Sequence, residues 1–307
     1  VSPPARPPVV AGLALAVAGA VLFSGKAIVV KLAYRYGVDA ETLLALRMIM
    51  AAPFFAVALW WTSRGAPRLA ARDHALLVLI GLLGYYLASY LDFLGLRTVS
   101  AALERLILYL SPTLVLLISA LALRKPVTRF DLAALLLAYG GIVLALWHDV
   151  RLAAEGVGLG AALVFASAAC YAGYLVIAGE LVRRVGAIRL TAYAMCVASL
   201  GVCAQFAALR PLSALAQPPP VLWLSLLNAV LCTVLPVFAT MMAVARIGAG
   251  PAAVAGMVGP VATIALGYAL LGEPVSGWQL AGTALVLAGV FVLSRKPGAA
   301  HHREKAG

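Results

Sequence analysis

The stretch from Ala101 to Gly141 is written twice. It returns without a gap at Ala249 to Gly289, 148 residues further on, so that Pro112 falls on Pro260, Leu123 on Leu271, Pro126-Val127 on Pro274-Val275, Leu137 on Leu285 and Gly141 on Gly289. Each copy holds a hydrophobic run with a proline in its middle, a Pro-Val-Thr or Pro-Val-Ser turn, and a second hydrophobic run. The chain reads as a duplication, and any fold for it must be built from two related halves.

Composition identifies the solvent in which those halves fold. Of 307 residues 64% are hydrophobic and 11% charged, and the mean hydropathy of +1.04 lies far outside that of a soluble domain. A hydrocarbon core about 30 Å thick takes about 20 apolar residues of helix. By that measure the first half holds spans from Val10 to Leu32, Thr42 to Thr62, Ala75 to Leu96, Ala101 to Leu123 and Leu132 to His148. The second half holds Val157 to Glu180, Leu190 to Leu209, Val221 to Ala245, Ala249 to Leu271 and Trp278 to Leu293. The expected fold is an all-α integral membrane protein with ten transmembrane helices in two five-helix repeats, residues 10–148 and 157–294, joined by a linker at 149–156. Residues 1–9 and the tail 295–307 read as disordered. The first run is not read as a cleaved leader, because an equivalent run opens the second half at Gly158.

The net charge of +12 comes with no nucleic-acid motif and sits mostly in short loops, where it reads as orientation in the bilayer. Arg64, Arg68, Arg72, Arg124, Lys125, Arg129, Arg183, Arg184, Arg189, Arg246 and the tail cations share one side with Arg6; Arg35, Arg97, Arg151 and Arg210 hold the other. Both termini are expected in the cytoplasm. Five spans per repeat is an odd number, so the second copy enters the bilayer upside down. The charges agree: Arg124-Lys125 in one turn becomes Gly272-Glu273 in its mirrored counterpart. Inverted repeats allow one scaffold two related conformations facing opposite sides, the geometry of alternating access.

Ionisable side chains inside spans are costly and usually face a partner or a cavity. Lys26, Arg47, Asp92, Glu104 and Arg105 all fall in the first half of the chain and, by topology, in the outer half of the membrane, where they can pair. Asp92, near the end of its span, reads as interfacial; Glu104 and Arg105 read as a helix-start pair or as cavity groups; Lys26 lines a cavity or snorkels to the surface. In the third span Tyr86, Tyr90 and Phe93 form one stripe, beside Tyr85, Ser89 and Asp92. Such a stripe is packing or the lining of a substrate cavity, to which Tyr109 and Tyr171 can contribute. Asn228 is a further candidate for hydrogen bonding into the cavity. Pro112 and Pro260, with Gly256 and Gly259, mark helices able to bend as gates. Cys170, Cys196, Cys203 and Cys232 lie in apolar runs without metal-ligand spacing and read as packing residues.

No Gly-x-x-x-x-Gly-Lys-Ser/Thr loop, His-Glu-x-x-His or Gly-x-Ser-x-Gly pattern occurs, so ATP coupling or hydrolytic chemistry in this chain is not expected, nor is a metal or other cofactor. The ten spans, the Pro112 and Pro260 helices, Glu104-Arg105 and the Glu273-Pro274 turn resemble the drug/metabolite transporter superfamily, in particular its EamA-type bacterial exporters. Gly84 to Tyr90 and Leu103 to Thr113 carry the most specific part of that resemblance. It looks closest to exporters of aromatic and other amino acids. It implies a secondary exporter of amino acids or similar small metabolites, with Tyr86, Tyr90, Tyr109, Lys26, Glu104, Tyr171 and Asn228 at the substrate. Ten spans suffice to enclose a cavity within one chain, consistent with a monomer whose partners are its substrate and the lipid bilayer. A multidrug exporter would share the architecture; a non-transport membrane enzyme or scaffold would need a reactive constellation or docking surface that the sequence lacks.

Overall fold

The computed structural model describes residues 7–122, 128–152 and 156–294, which form helices and short turns with no strand among them. The expectations for the extreme N-terminus, the tail and the Lys125-Pro126 turn lie outside the described residues. In chain order the helices are α1 (Pro7–Tyr34), α2 (Ala40–Ser63), α3 (Ala71–Gly95), α4 (Ala101–Leu121), α5 (Arg129–Leu152), α6 (Val157–Val185), α7 (Ala187–Leu209), α8 (Pro219–Ile247), α9 (Pro251–Leu271) and α10 (Gly277–Ser294). Eight of them, α1 to α4 and α6 to α9, are long and apolar enough among the described residues to cross a bilayer.

The ends of these helices follow from local chemistry. Asp39 caps α2 by accepting the Thr42 N–H at 2.9 Å, and Ser100 caps α4 by accepting the Leu103 N–H at 3.1 Å. Gly186, at φ 85°, turns the chain between α6 and α7 in a single residue, a backbone conformation that side-chain-bearing residues rarely adopt. Large apolar side chains such as Trp61, Leu136, Leu200 and Trp223 remain about 70% exposed on the outside of the bundle. Water would not tolerate so much apolar surface; lipid does.

Helices pack mainly through small residues. α5 lies on α10 at Gly141, where an added methyl would stand 2.6 Å from the Gly282 carbonyl oxygen, and at Gly289, where it would stand 2.7 Å from that of Ala134. α1 lies on α8 and α6 on α3: Gly12 meets Ile247, and Gly160, 148 positions later, meets Val99. α3 and α8 each contain a π-helical turn, at Leu82–Leu87 and Val230–Val234, which start 148 positions apart. Wide turns of this kind shift the register of the residues that follow.

Candidate functional site

The site begins with what proline removes. Pro260 has no N–H to give the carbonyl four residues back, so the Gly256 oxygen is free within α9, and the Tyr109 hydroxyl donates to it at 2.5 Å. Pro112 frees the Leu108 oxygen of α4 in the same way, and the Ser111 hydroxyl donates to that at 2.6 Å. Both helices are interrupted there: α4 is regular over Ala101–Leu108 and resumes at Ser111, and α9 breaks at Met257 before Val258–Leu266. The breaks in α4 and α9 meet. A methyl on Gly259 would lie 2.6 Å from the Tyr109 hydroxyl and 2.9 Å from Nη2 of Arg105, so only glycine leaves space for both.

Against this junction sits a buried charge cluster. Lys26 of α1 bridges two carboxylates, with Nζ 2.5 Å from Asp92 Oδ2 of α3 and 2.9 Å from Glu104 Oε1 of α4. The three residues are 5%, 2% and 0% exposed. Arg105 points away from its sequence neighbour: Nη2 donates to the Ser24 hydroxyl at 3.2 Å, and that hydroxyl lies 2.7 Å from the Ala20 carbonyl oxygen and 2.9 Å from that of Gly259. Its guanidinium also lies over the rings of Phe23 and Tyr109. Arg47 of α2, equally buried, rests on the Phe93 ring at 5.2 Å. Asp92 is therefore an interior group rather than an interfacial one, because α3 passes close to α1 and Lys26 reaches its carboxylate.

The other sequence-selected residues are distributed more widely. Tyr90 donates to Glu41 Oε1 at 3.1 Å, near one end of the bundle. Tyr86 packs near Gly201 of α7. Tyr171 joins Tyr85 and Tyr174 in a ring cluster between α3 and α6, with centroids 5.0–6.4 Å apart. Asn228 is fully buried in the half of α8 that packs on α1 and α2, and its side-chain amide has no hydrogen-bond partner among the described residues. Lys26, Glu104, Tyr109, Gly256, Gly259 and Pro260 are brought together, along with Ser24, Asp92 and Arg105.

Ion pairs join the two halves at both ends of the bundle. At one end Glu273 holds Lys31 at 3.2 Å and accepts the Ala101 N–H at 3.1 Å, while Arg210 reaches Asp39 and Glu41 at 3.6 and 3.4 Å. Burial alone would raise the Asp39 carboxyl, but the Thr42 N–H and hydroxyl donating to it, with Arg210 beside it, hold it below the usual carboxylate range. At the opposite end Arg184 meets Asp73 at 3.1 Å. The sequence marked Glu273 only as the repeat counterpart of Lys125, because its partners Lys31 and Ala101 are far away in sequence.

A lipid-exposed helical bundle with a buried charge cluster beside two proline-broken helices has the make-up of a membrane transporter. The chain belongs to the EamA-like transporter family, whose sequence pattern matches residues 10–147 and again 158–295. It is 33% identical over 280 residues to a Bacillus subtilis protein named uncharacterized transporter YcbK, covering 89% of each chain. A second B. subtilis protein, uncharacterized transporter YyaM, is 25% identical over 222 residues, covering 71% of this chain and 72% of that one. A crystal structure superposes with a TM-score of 0.65 at 17% identity, over 95% of this chain and 98% of that chain, a likeness of fold alone.

Proposed function

We propose that this chain is a secondary transporter that exports amino acids or similar small metabolites across the bacterial inner membrane, by alternating access between two inverted repeats of five spans. The observation that carries the reading is the Lys26–Asp92–Glu104 cluster, buried where the broken turns of α4 and α9 meet. Charge is kept inside a membrane protein at a cost and generally serves a solute or a proton. Broken helices at such a point offer free backbone groups to a ligand.

The packing supports the inverted arrangement. The contact of Gly141 with Gly282 maps, under the 148-residue shift, onto that of Gly289 with Ala134, exchanging α5 and α10. As the residue number rises along α5 it falls along α10, so the two equivalent helices run antiparallel. That is the relation a two-fold axis in the membrane plane produces. The family pattern matches twice at the same offset. Ten spans put both termini on one side, which the loop charges make cytoplasmic, and one chain encloses its own site as a monomer.

In this reading Lys26, Glu104 and Tyr109 face the substrate when the cluster opens, with Tyr86, Tyr90, Tyr171 and Asn228 lining the path, and Pro112, Pro260, Gly256 and Gly259 let α4 and α9 bend. The test is transport of labelled amino acids by liposomes containing only the purified protein, with and without an imposed pH gradient. Saturable movement with mutual competition is expected. Movement only under a pH gradient assigns proton handling to Asp92 and Glu104. If no amino acid moves while unrelated organic cations do, the amino-acid reading fails in favour of a multidrug exporter.

A further inference from the structure

The charges buried around Lys26 do not balance. Lys26, Arg47 and Arg105 bring three positive charges, Asp92 and Glu104 two negative ones, and all five residues are at most 5% exposed. Both carboxylates lie against Lys26, whose single charge offsets one of them. Among the described residues no carboxylate lies within 4.0 Å of either guanidinium. The Nε atoms of Arg47 and Arg105 are buried with no acceptor. A lysine can shed its proton when buried, whereas arginine keeps its charge. An unpaired buried cation is unfavourable, so two guanidiniums held this way point to an anion that comes and goes.

Of the two, Arg105 is placed to receive it. Its Nη2 lies at the first turn of the half-helix Val258–Leu266, against Gly259, which has no side chain to obstruct approach. A helix start carries partial positive charge, so an anion lying between it and the guanidinium is favoured by both. The hydroxyls of Ser24 and Tyr109 flank the same point. Phe23 lies under the guanidinium, 4.8 Å from its ring centre, and holds the fork in place.

We infer that the transported solute carries a carboxylate, and that this group docks on Arg105 at the junction of α4 and α9, supplying the negative charge the site lacks. The inference rests on the transporter reading and narrows it: solutes without an acid group are excluded. A free amino acid and a simple organic acid share the required chemistry. An amino acid's ammonium group would compete with Lys26 for Glu104 or Asp92; a simple acid would leave that triad closed.

The experiment uses the purified full chain in detergent micelles and follows its thermal melting with phenylalanine, glutamate, 3-phenylpropionate, phenylalanine methyl ester and phenethylamine. The three carboxylates are expected to raise the melting temperature in a saturable way, and the ester and amine are not. Stabilisation by the amino acids alone assigns an amino acid as the source of the carboxylate, and stabilisation by 3-phenylpropionate as well assigns any small acid. Arg105→Lys should weaken the response about tenfold and Arg105→Gln remove it, by loss of the two-pronged contact. Should Arg105→Gln fail to fold, the comparison of acid with ester on the native chain decides alone. Equal effects of acid and ester, or no effect of any carboxylate, overturn the inference. Liposomes separate this from the broader reading: the ester moved as fast as phenylalanine would leave transport standing and remove the anion site. Carboxylate binding without any transport would do the reverse.

Discussion

Lys26 is the residue on which the site depends. It bridges two carboxylates that otherwise face each other in a medium of low dielectric. Replacing it with methionine keeps its volume but leaves Asp92 and Glu104 unpaired, and losing one partner of a buried pair costs about 3–5 kcal/mol. Lys26→Met should therefore melt markedly lower in detergent than the parent, while Lys26→Met combined with Asp92→Asn and Glu104→Gln recovers most of the loss. A single variant as stable as the parent would mean that the pairs contribute nothing. The sequence presented Glu104 beside Arg105 as an apparent couple. Adjacent helical residues point about 100° apart, so one turns to Lys26 and the other to Ser24.

Among the elements, the α5–α10 pair gives a clear contrast. Gly140 and Gly141 are neighbours on α5, yet a methyl at Gly140 meets nothing within 4 Å, whereas one at Gly141 lies 2.6 Å from the Gly282 carbonyl oxygen. Gly141→Ala should destabilise by about 1–3 kcal/mol, the usual cost of forcing atoms into a packed contact. Gly140→Ala should be neutral or mildly stabilising, since alanine favours helix over glycine by up to about 1 kcal/mol. Melting of the two variants side by side checks this; equal effects would mean that the pair does not pack at Gly141. The proline turns of α4 and α9 were visible in the sequence as a repeated feature. The hydroxyls of Ser111 and Tyr109 that answer their freed carbonyls were not, because Tyr109 reaches across to a different helix.

At the scale of the whole molecule the prediction concerns sidedness. If the two halves are inverted, single cysteines placed at Gly37 and Gly272 should label from one side of intact cells, and those at Gly65 and Gly186 from the other. The first pair occupies the turns after α1 and α9, the second the turns after α2 and α6. Labelling of Gly37 and Gly65 positions from the same side would refute the topology. In that topology the Lys31–Glu273 pair would lie on the external face and Arg184–Asp73 on the cytoplasmic one. One of these closures must open at a time in an alternating transporter.

Apolar runs of spanning length, the repeat at 148 residues and the family motifs determined membrane residence, helical class and family, because each depends only on local composition or on order along the chain. Tertiary structure decided which charges meet. Lys26 and Asp92 are 66 residues apart, and no periodicity in either helix says which neighbour it will face. The tyrosines of α3 form two stripes in sequence, but only packing decided what each meets: Tyr85 lies on Tyr174, Tyr86 lies beside Gly201, and Tyr90 donates to Glu41. The charge imbalance around Arg105 likewise became visible only when the helices came together, because a count of charged residues does not tell which of them are already paired.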